Sequence, residues 1–243
     1  SRTLYTQPAL FTVEAAITDV LKAHGVTPSA VAGHSLGEFG AWYAAGGFSF
    51  EDGFHLVSER GRLMDKADPE SKGTMSAIVG LDADTVREAC ESVDGTVVVA
   101  NYNSPQQIVI SGAKAAVDAA GKILKDRGAK RVLPLKVSGA FHSPLMDNAT
   151  AEFEEIVKQI SFSDANIPVY ANVTASKTTD AAQIMELIVQ QLTSSVRWTE
   201  TVLNMIADGI EHAYELGPGN VLAGLIRRID GRMTVVSVSD VSS

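Results

Sequence analysis

The sequence predicts a parallel-sheet α/β domain interrupted by a small βαββαβ unit, and three observations carry that expectation. Apolar strand-like runs alternate with helical periodicity at both ends of the chain. Between residues 73 and 137 the order becomes strand, helix, strand, strand, helix, strand, a common layout for a two-layer unit of about 65 residues. The 243 residues, 45% apolar and 20% charged, suffice for one core with a smaller unit inserted in it.

In chain order, residues 6–25 read as a helix. Pro8 suits a first turn, Ala9, Val13, Ala16, Ile17, Val20 and Leu21 recur near helical spacing, and His24-Gly25 makes a stop. Residues 29–33 form a short apolar strand, followed by helices at 36–46 and 51–66. Strands are expected at 74–81, 96–101, 107–111 and 130–137, with helices at 82–93 and 113–127. Asn103-Ser104-Pro105 provides the turn between the middle strands. Further on come helices at 144–159, 184–192, 198–208 and 221–229, and strands at 168–172, 212–216 and 234–238.

The formal net charge of −9 argues against nucleic acid or an anionic membrane as partner. A single cysteine, Cys90, excludes an intramolecular disulfide. No apolar run reaches the roughly 18 residues of a membrane span, and the first ten residues lack a signal-peptide layout, so the cytoplasm is the expected location.

Gly33-His34-Ser35-Leu36-Gly37 fits G-x-S-x-G, a pattern that about one chain in ten of this length holds by chance. Its setting is more specific, because a strand feeds into it and a helix leaves it, as a nucleophile elbow requires. Such a turn strains Ser35, lifts its hydroxyl above the sheet and aims the Leu36 N–H at a developing oxyanion. The plainer alternative is a serine that only caps a helix.

A serine nucleophile needs a base, and there are five histidines. His34 adjoins Ser35 and should point away from it, His24 suits a helix cap, and His55 and His212 fit structural roles. His142 lies in a loop beyond a strand, where α/β sheets gather catalytic groups, but no Asp or Glu stands in an obvious position to orient it. Arg60 falls on the helical face of Phe54, Val57, Gly61 and Met64, while Arg62 projects away with Glu59 and Lys66. An inward guanidinium needs an anion, either a substrate carboxylate or an internal partner such as Glu38.

Together these residues resemble the malonyl-CoA:acyl carrier protein transacylase family. The likeness runs through Thr6-Gln7-Pro8-Ala9-Leu10, Gly33 to Glu38, Ser58-Glu59-Arg60-Gly61, Asn101 to Pro105, Gly139 to Ser143, Val196-Arg197-Trp198 and Glu215 to Gly219. It implies an α/β-hydrolase-like catalytic domain over 1–72 and 138–243 with a ferredoxin-like subdomain over 73–137. It also implies that Ser35 takes malonyl from coenzyme A and passes it to the phosphopantetheine thiol of acyl carrier protein, with His142 as base and then acid. Arg60 would hold the malonate carboxylate, and a backbone carbonyl of Gln191 would orient the histidine. His34, Phe141, Asn103 and Asn172 would surround the acyl group, the Phe141 ring disfavouring an α-methyl substituent. Neither a resident cofactor nor a metal is implied; the coenzyme A thioester is substrate.

Relatives of this kind begin with a strand and a Gly-Gln-Gly-Ser-Gln loop whose glutamine N–H is a second oxyanion donor. The sequence starts at Ser1, just before Thr-Gln-Pro-Ala-Leu. Removing one such donor typically costs about 10²–10³ in rate, so weak activity or none is expected of the 243 residues alone. Full transfer activity would refute that.

Lys122, Lys125, Arg127, Lys130, Arg131 and Lys136 face only one nearby acid in sequence, Asp126. They suggest either a solvated helix end or a docking face for an acidic carrier protein. Two rival functions remain at this level. One is an esterase or thioesterase, which needs an acid on His142 and no Arg60; the other is a non-catalytic carrier-protein binding fragment.

Overall fold

Strands and helices do alternate as the sequence predicts, but among the described residues the strands gather into three sheets. The structure, a computed structural model, describes residues 3–68, 72–137 and 139–239. Ser138, the first residue of the loop that carries His142, lies outside them.

Helix α1 (Thr3–Ala23) encloses Pro8 instead of starting at it. The proline forfeits one backbone donor, but burial of Phe11, Ala15 and Ile17 holds the helix through that point. Strand β1 (Val31–Ala32) leads through the serine turn into α2 (Gly37–Ala44). Helix α3 (Phe50–Lys66) is capped by the Ser49 hydroxyl, which accepts from the Asp52 N–H. It lies close to α1: a Cβ on Gly61 would stand 3.1 Å from the Thr3 carbonyl oxygen. The expected inward face of α3 needs one correction. Phe54 is exposed, and Leu56, Leu63 and Gly53 join Val57, Arg60, Gly61 and Met64 on the buried side.

The middle of the chain forms β2 (Gly73–Val79), α4 (Ala83–Glu91), β3 (Val97–Ser104), β4 (Gln107–Ala113), α5 (Lys114–Asp126) and β5 (Arg131–Pro134). Its strands make an antiparallel sheet in the order β3-β4-β2-β5. Ser104 pairs with Gln107, so the expected turn tightens to Pro105 and Gln106. Ile78, Val99, Ile108, Ile110, Val117 and Leu124 fill a core between this sheet and its helices.

A 3₁₀ turn (Pro144–Met146) precedes α6 (Asp147–Val157), because the Ser143 hydroxyl accepts from the Leu145 N–H and starts a tighter turn. Then follow β6 (Val169–Tyr170), β7 (Lys177–Thr178), α7 (Ala181–Gln190), α8 (Trp198–Ala207), β8 (His212–Leu216), α9 (Val221–Ile229) and β9 (Thr234–Val238). Strand β1 pairs parallel with β6, which pairs antiparallel with the two-residue β7, a strand with no sequence signal. Strands β8 and β9 pair parallel as a separate ribbon.

The largest core packs α1, α2, α3, α6 and α7 around Phe11, Phe39, Trp42, Leu56, Phe153 and Ile188. Between the antiparallel unit and the rest, Tyr102 N–H donates to the Val196 carbonyl, carrying the end of β3 toward the serine turn. Among the described residues, no helix is long and apolar enough to cross a membrane.

Candidate active site

Ser35 sits in the turn between β1 and α2 with φ of 53°, a left-handed conformation that costs a non-glycine residue free energy. Two features hold it there. A Cβ on Gly33 would lie 1.9 Å from the Gly37 carbonyl group, so only glycine lets the chain close so tightly. Asn172 then ties the turn together: its Oδ1 accepts from the Ser35 N–H and its Nδ2 donates to the Gly33 carbonyl, both at 2.6 Å. Gly37, by contrast, has open space where a side chain would project. The Leu36 N–H opens α2 and meets no acceptor among the described residues.

The His142 Nε2 lies 2.8 Å from Ser35 Oγ, and its Nδ1 lies 2.9 Å from the Gln191 carbonyl oxygen. A carbonyl only accepts, so Nδ1 carries the proton and Nε2 is free to take one from the serine. His142 is itself in a left-handed conformation, φ 55°. Burial, reinforced by the Arg60 charge, pushes it down to about 3, which keeps the ring neutral. The position that a hydrolase-type triad gives to a carboxylate is taken here by a neutral backbone carbonyl.

The third group at the serine is Arg60. Its Nη2 donates to Ser35 Oγ at 3.0 Å and to Gln191 Oε1 at 2.8 Å, and its Nη1 donates to Gln7 Oε1 at 2.8 Å. The guanidinium lies over the Phe39 ring, with Nε buried and unpartnered among the described residues. Burial pulls it down to about 10, with the charge of Glu38 opposing that shift, so it stays cationic.

A neutral imidazole and a buried guanidinium thus converge on one serine hydroxyl. The acyl transferase domain family matches residues 1–234. The malonyl CoA-acyl carrier protein transacylase of Bacillus subtilis is 43% identical over 237 residues, covering 96% of this chain and 75% of that protein. The chain belongs to the malonyl CoA-acyl carrier protein transacylase family. The Salmonella typhimurium transacylase is 44% identical over 243 residues, covering 99% of this chain and 79% of its own length. A solved acyl carrier protein S-malonyltransferase from Vibrio cholerae superposes with a TM-score of 0.97 at 42% identity, covering 100% of this chain and 80% of that one. A malonyl-transacylase solved in complex with a type II PKS acyl-carrier protein superposes at 0.96, with 41% identity over 99% of this chain and 79% of that one. The chain is therefore an enzyme, and the non-catalytic reading gives way.

Of the remaining expected site residues, His34 and Asn103 meet each other: Nε2 lies 2.7 Å from Asn103 Oδ1, and Trp198 stands edge-on to the imidazole. Burial lowers the His34 pKa. Phe141, half-buried, packs against the cluster of Met75, Ala77, Ala100 and Val109. Asn172 is fully buried, with its amide hydrogen-bonded to the turn backbone. His24 bonds the Val20 carbonyl, and His55 and His212 are exposed. Lys122, Lys125, Arg127, Lys130 and Arg131 are all exposed on α5, β5 and the link between them. Arg127 also meets Glu88 of α4 at 3.4 Å, an acid that linear spacing hides.

Two residues entered the sequence reading without the contacts they make. Gln7 was visible only inside a motif, and its amide oxygen is the partner of Arg60 Nη1. Glu38 entered as a possible direct ion-pair partner of Arg60. It is wholly buried and reaches Arg60 through the Gln191 amide instead. A carboxylate in the strongly apolar helix Gly37–Ala44 was the signal available.

Proposed function

We propose that this chain moves a malonyl group from coenzyme A to the phosphopantetheine thiol of an acyl carrier protein, through a malonyl ester on Ser35. The observation that carries the reading is the hydroxyl itself, 2.8 Å from a neutral histidine and 3.0 Å from a buried arginine. His142 takes the Ser35 proton as Oγ attacks the thioester carbon, and the Leu36 N–H faces the oxyanion of the tetrahedral intermediate. Collapse breaks the carbon–sulfur bond, and His142 returns its proton to the departing coenzyme A thiolate. The carrier thiol then repeats the sequence in reverse, losing its proton to His142 and freeing Ser35. Arg60 distinguishes malonyl from acetyl by pairing with the carboxylate, and its unpartnered Nε supplies a donor for it.

The strand order β3-β4-β2-β5 supports a ferredoxin-like subdomain over 73–137, seated on an α/β-hydrolase-like domain over 1–72 and 138–243. A cytoplasmic location and an acidic carrier protein docking on the Lys122–Arg131 face belong to the same reading. The test is Arg60→Ala, assayed for transfer of both acyl groups. Malonyl transfer should fall about 10²-fold or more while acetyl transfer largely persists, as loss of a charge-assisted bidentate contact requires. Equal loss of both would remove Arg60 from acyl recognition.

A further inference from the structure

Glu38 stands in the first turn of α2 with no solvent exposure. Its Oε1 accepts from Trp42 Nε1 at 3.2 Å, and its Oε2 accepts from Asn172 N–H at 3.0 Å and Gln191 Nε2 at 2.8 Å. All three contacts come from N–H groups, so Glu38 accepts throughout and the Gln191 NH₂ faces it. The same NH₂ donates to the Ser35 carbonyl at 3.0 Å. That leaves the Gln191 oxygen one direction, toward Arg60 Nη2. Gln191 thereby reaches both working groups, His142 through its backbone and Arg60 through its side chain.

We propose that Glu38 is a positioning residue for recognition of the acyl carboxylate: it locks the Gln191 amide so that Arg60 is held against Ser35. The proposal rests on the assignment of the substrate carboxylate to Arg60. With Gln7 on Nη1 and Gln191 on Nη2, the guanidinium has one orientation in which to offer its remaining N–H groups. Burial pushes Glu38 up to about 7, and its hydrogen bonds and the nearby Arg60 charge oppose that shift. The Gln191 amide bridges the Glu38 carboxyl group and the Arg60 guanidinium.

Loading of Ser35 from malonyl-CoA and from acetyl-CoA, measured in Glu38→Leu and Gln191→Met, tests the idea. The methionine keeps the backbone carbonyl that holds His142 and removes only the amide. The malonyl-to-acetyl ratio should fall about tenfold in each, the loss expected when a charge-assisted hydrogen bond is misaligned. The double variant should lose little more than either single one, because both break the same link. An unchanged ratio, or equal loss for the two acyl groups, overturns the proposal. If Glu38→Leu does not fold, the near-isosteric Glu38→Gln, which has one acceptor oxygen fewer for the three N–H groups, takes its place with the same expected shift in ratio. Arg60→Ala run alongside separates the two levels. An unchanged ratio there overturns the carboxylate assignment itself, and this proposal with it. A shifted ratio there with none in the Glu38 and Gln191 variants overturns the role of Glu38 only.

Discussion

At the residue scale the proposed mechanism depends on one histidine kept neutral beside a cation. The pKa of His142 is held far below the ordinary imidazole value, first by burial and then by the Arg60 charge. The active form is the unprotonated ring, so the acid limb of Ser35 loading should lie well below pH 6.5. Replacing Arg60 by methionine removes the second cause, and the limb of acetyl-CoA loading should then move to higher pH. A pH–rate profile of that variant checks the sign, and a limb that stays in place would detach the base from Arg60. Ser35, His142 and Arg60 were legible in the sequence because each broke a local rule: a serine between glycines, a histidine in a loop beyond a strand, an arginine on an apolar face. Gln7 and Asn172 break no such rule. Their amides matter because of what folding places opposite them, the Arg60 guanidinium and the backbone of the serine turn.

At the element scale, the strand–turn–helix from β1 to α2 is the unit on which the chemistry depends. Gly33→Ala would put a methyl group 1.9 Å from main-chain atoms of Gly37, which cannot swing aside as a side chain could. The substitution should cost about 3 kcal/mol of stability and abolish loading at Ser35, read by denaturant unfolding and a loading assay. A variant that folds and loads normally would show that the turn tolerates a wider course. Gly37→Ala, with open space around it, should be far milder. Helices were legible to within a few residues because an apolar stripe at helical spacing spans several turns, as in α3. Strand β7 was not, since two polar residues paired to β6 carry no periodicity. Pro8 misled because a tertiary contact surface, here α1 against α3, outweighs one lost backbone bond.

At the scale of the whole molecule, pairing was the least legible property. The sequence indicated strands and their order, but which edges meet depends on contacts between residues far apart, such as Val31 with Val169 and Asn101 with Val196. The antiparallel unit was clearer, because its four strands are close in sequence and linked by short turns and single helices. Its α5–β5 face is a local reversal of sign in a chain of net charge −9. Reversing Lys125 and Arg127 to glutamate should raise the KM for carrier protein several-fold, as loss of electrostatic steering does, while loading from malonyl-CoA stays as in the parent. Steady-state kinetics with each substrate varied would show it, and equal effects on both would dismiss the docking face.

The central claim is that Ser35 accepts the malonyl group. The direct measurement is the intact mass of the chain after mixing with malonyl-CoA, with the modified peptide sequenced. A gain of one malonyl group on the peptide containing Ser35, absent in Ser35→Ala and discharged by carrier-protein thiol, is the predicted result. No covalent adduct, or an adduct that persists in Ser35→Ala, would contradict it.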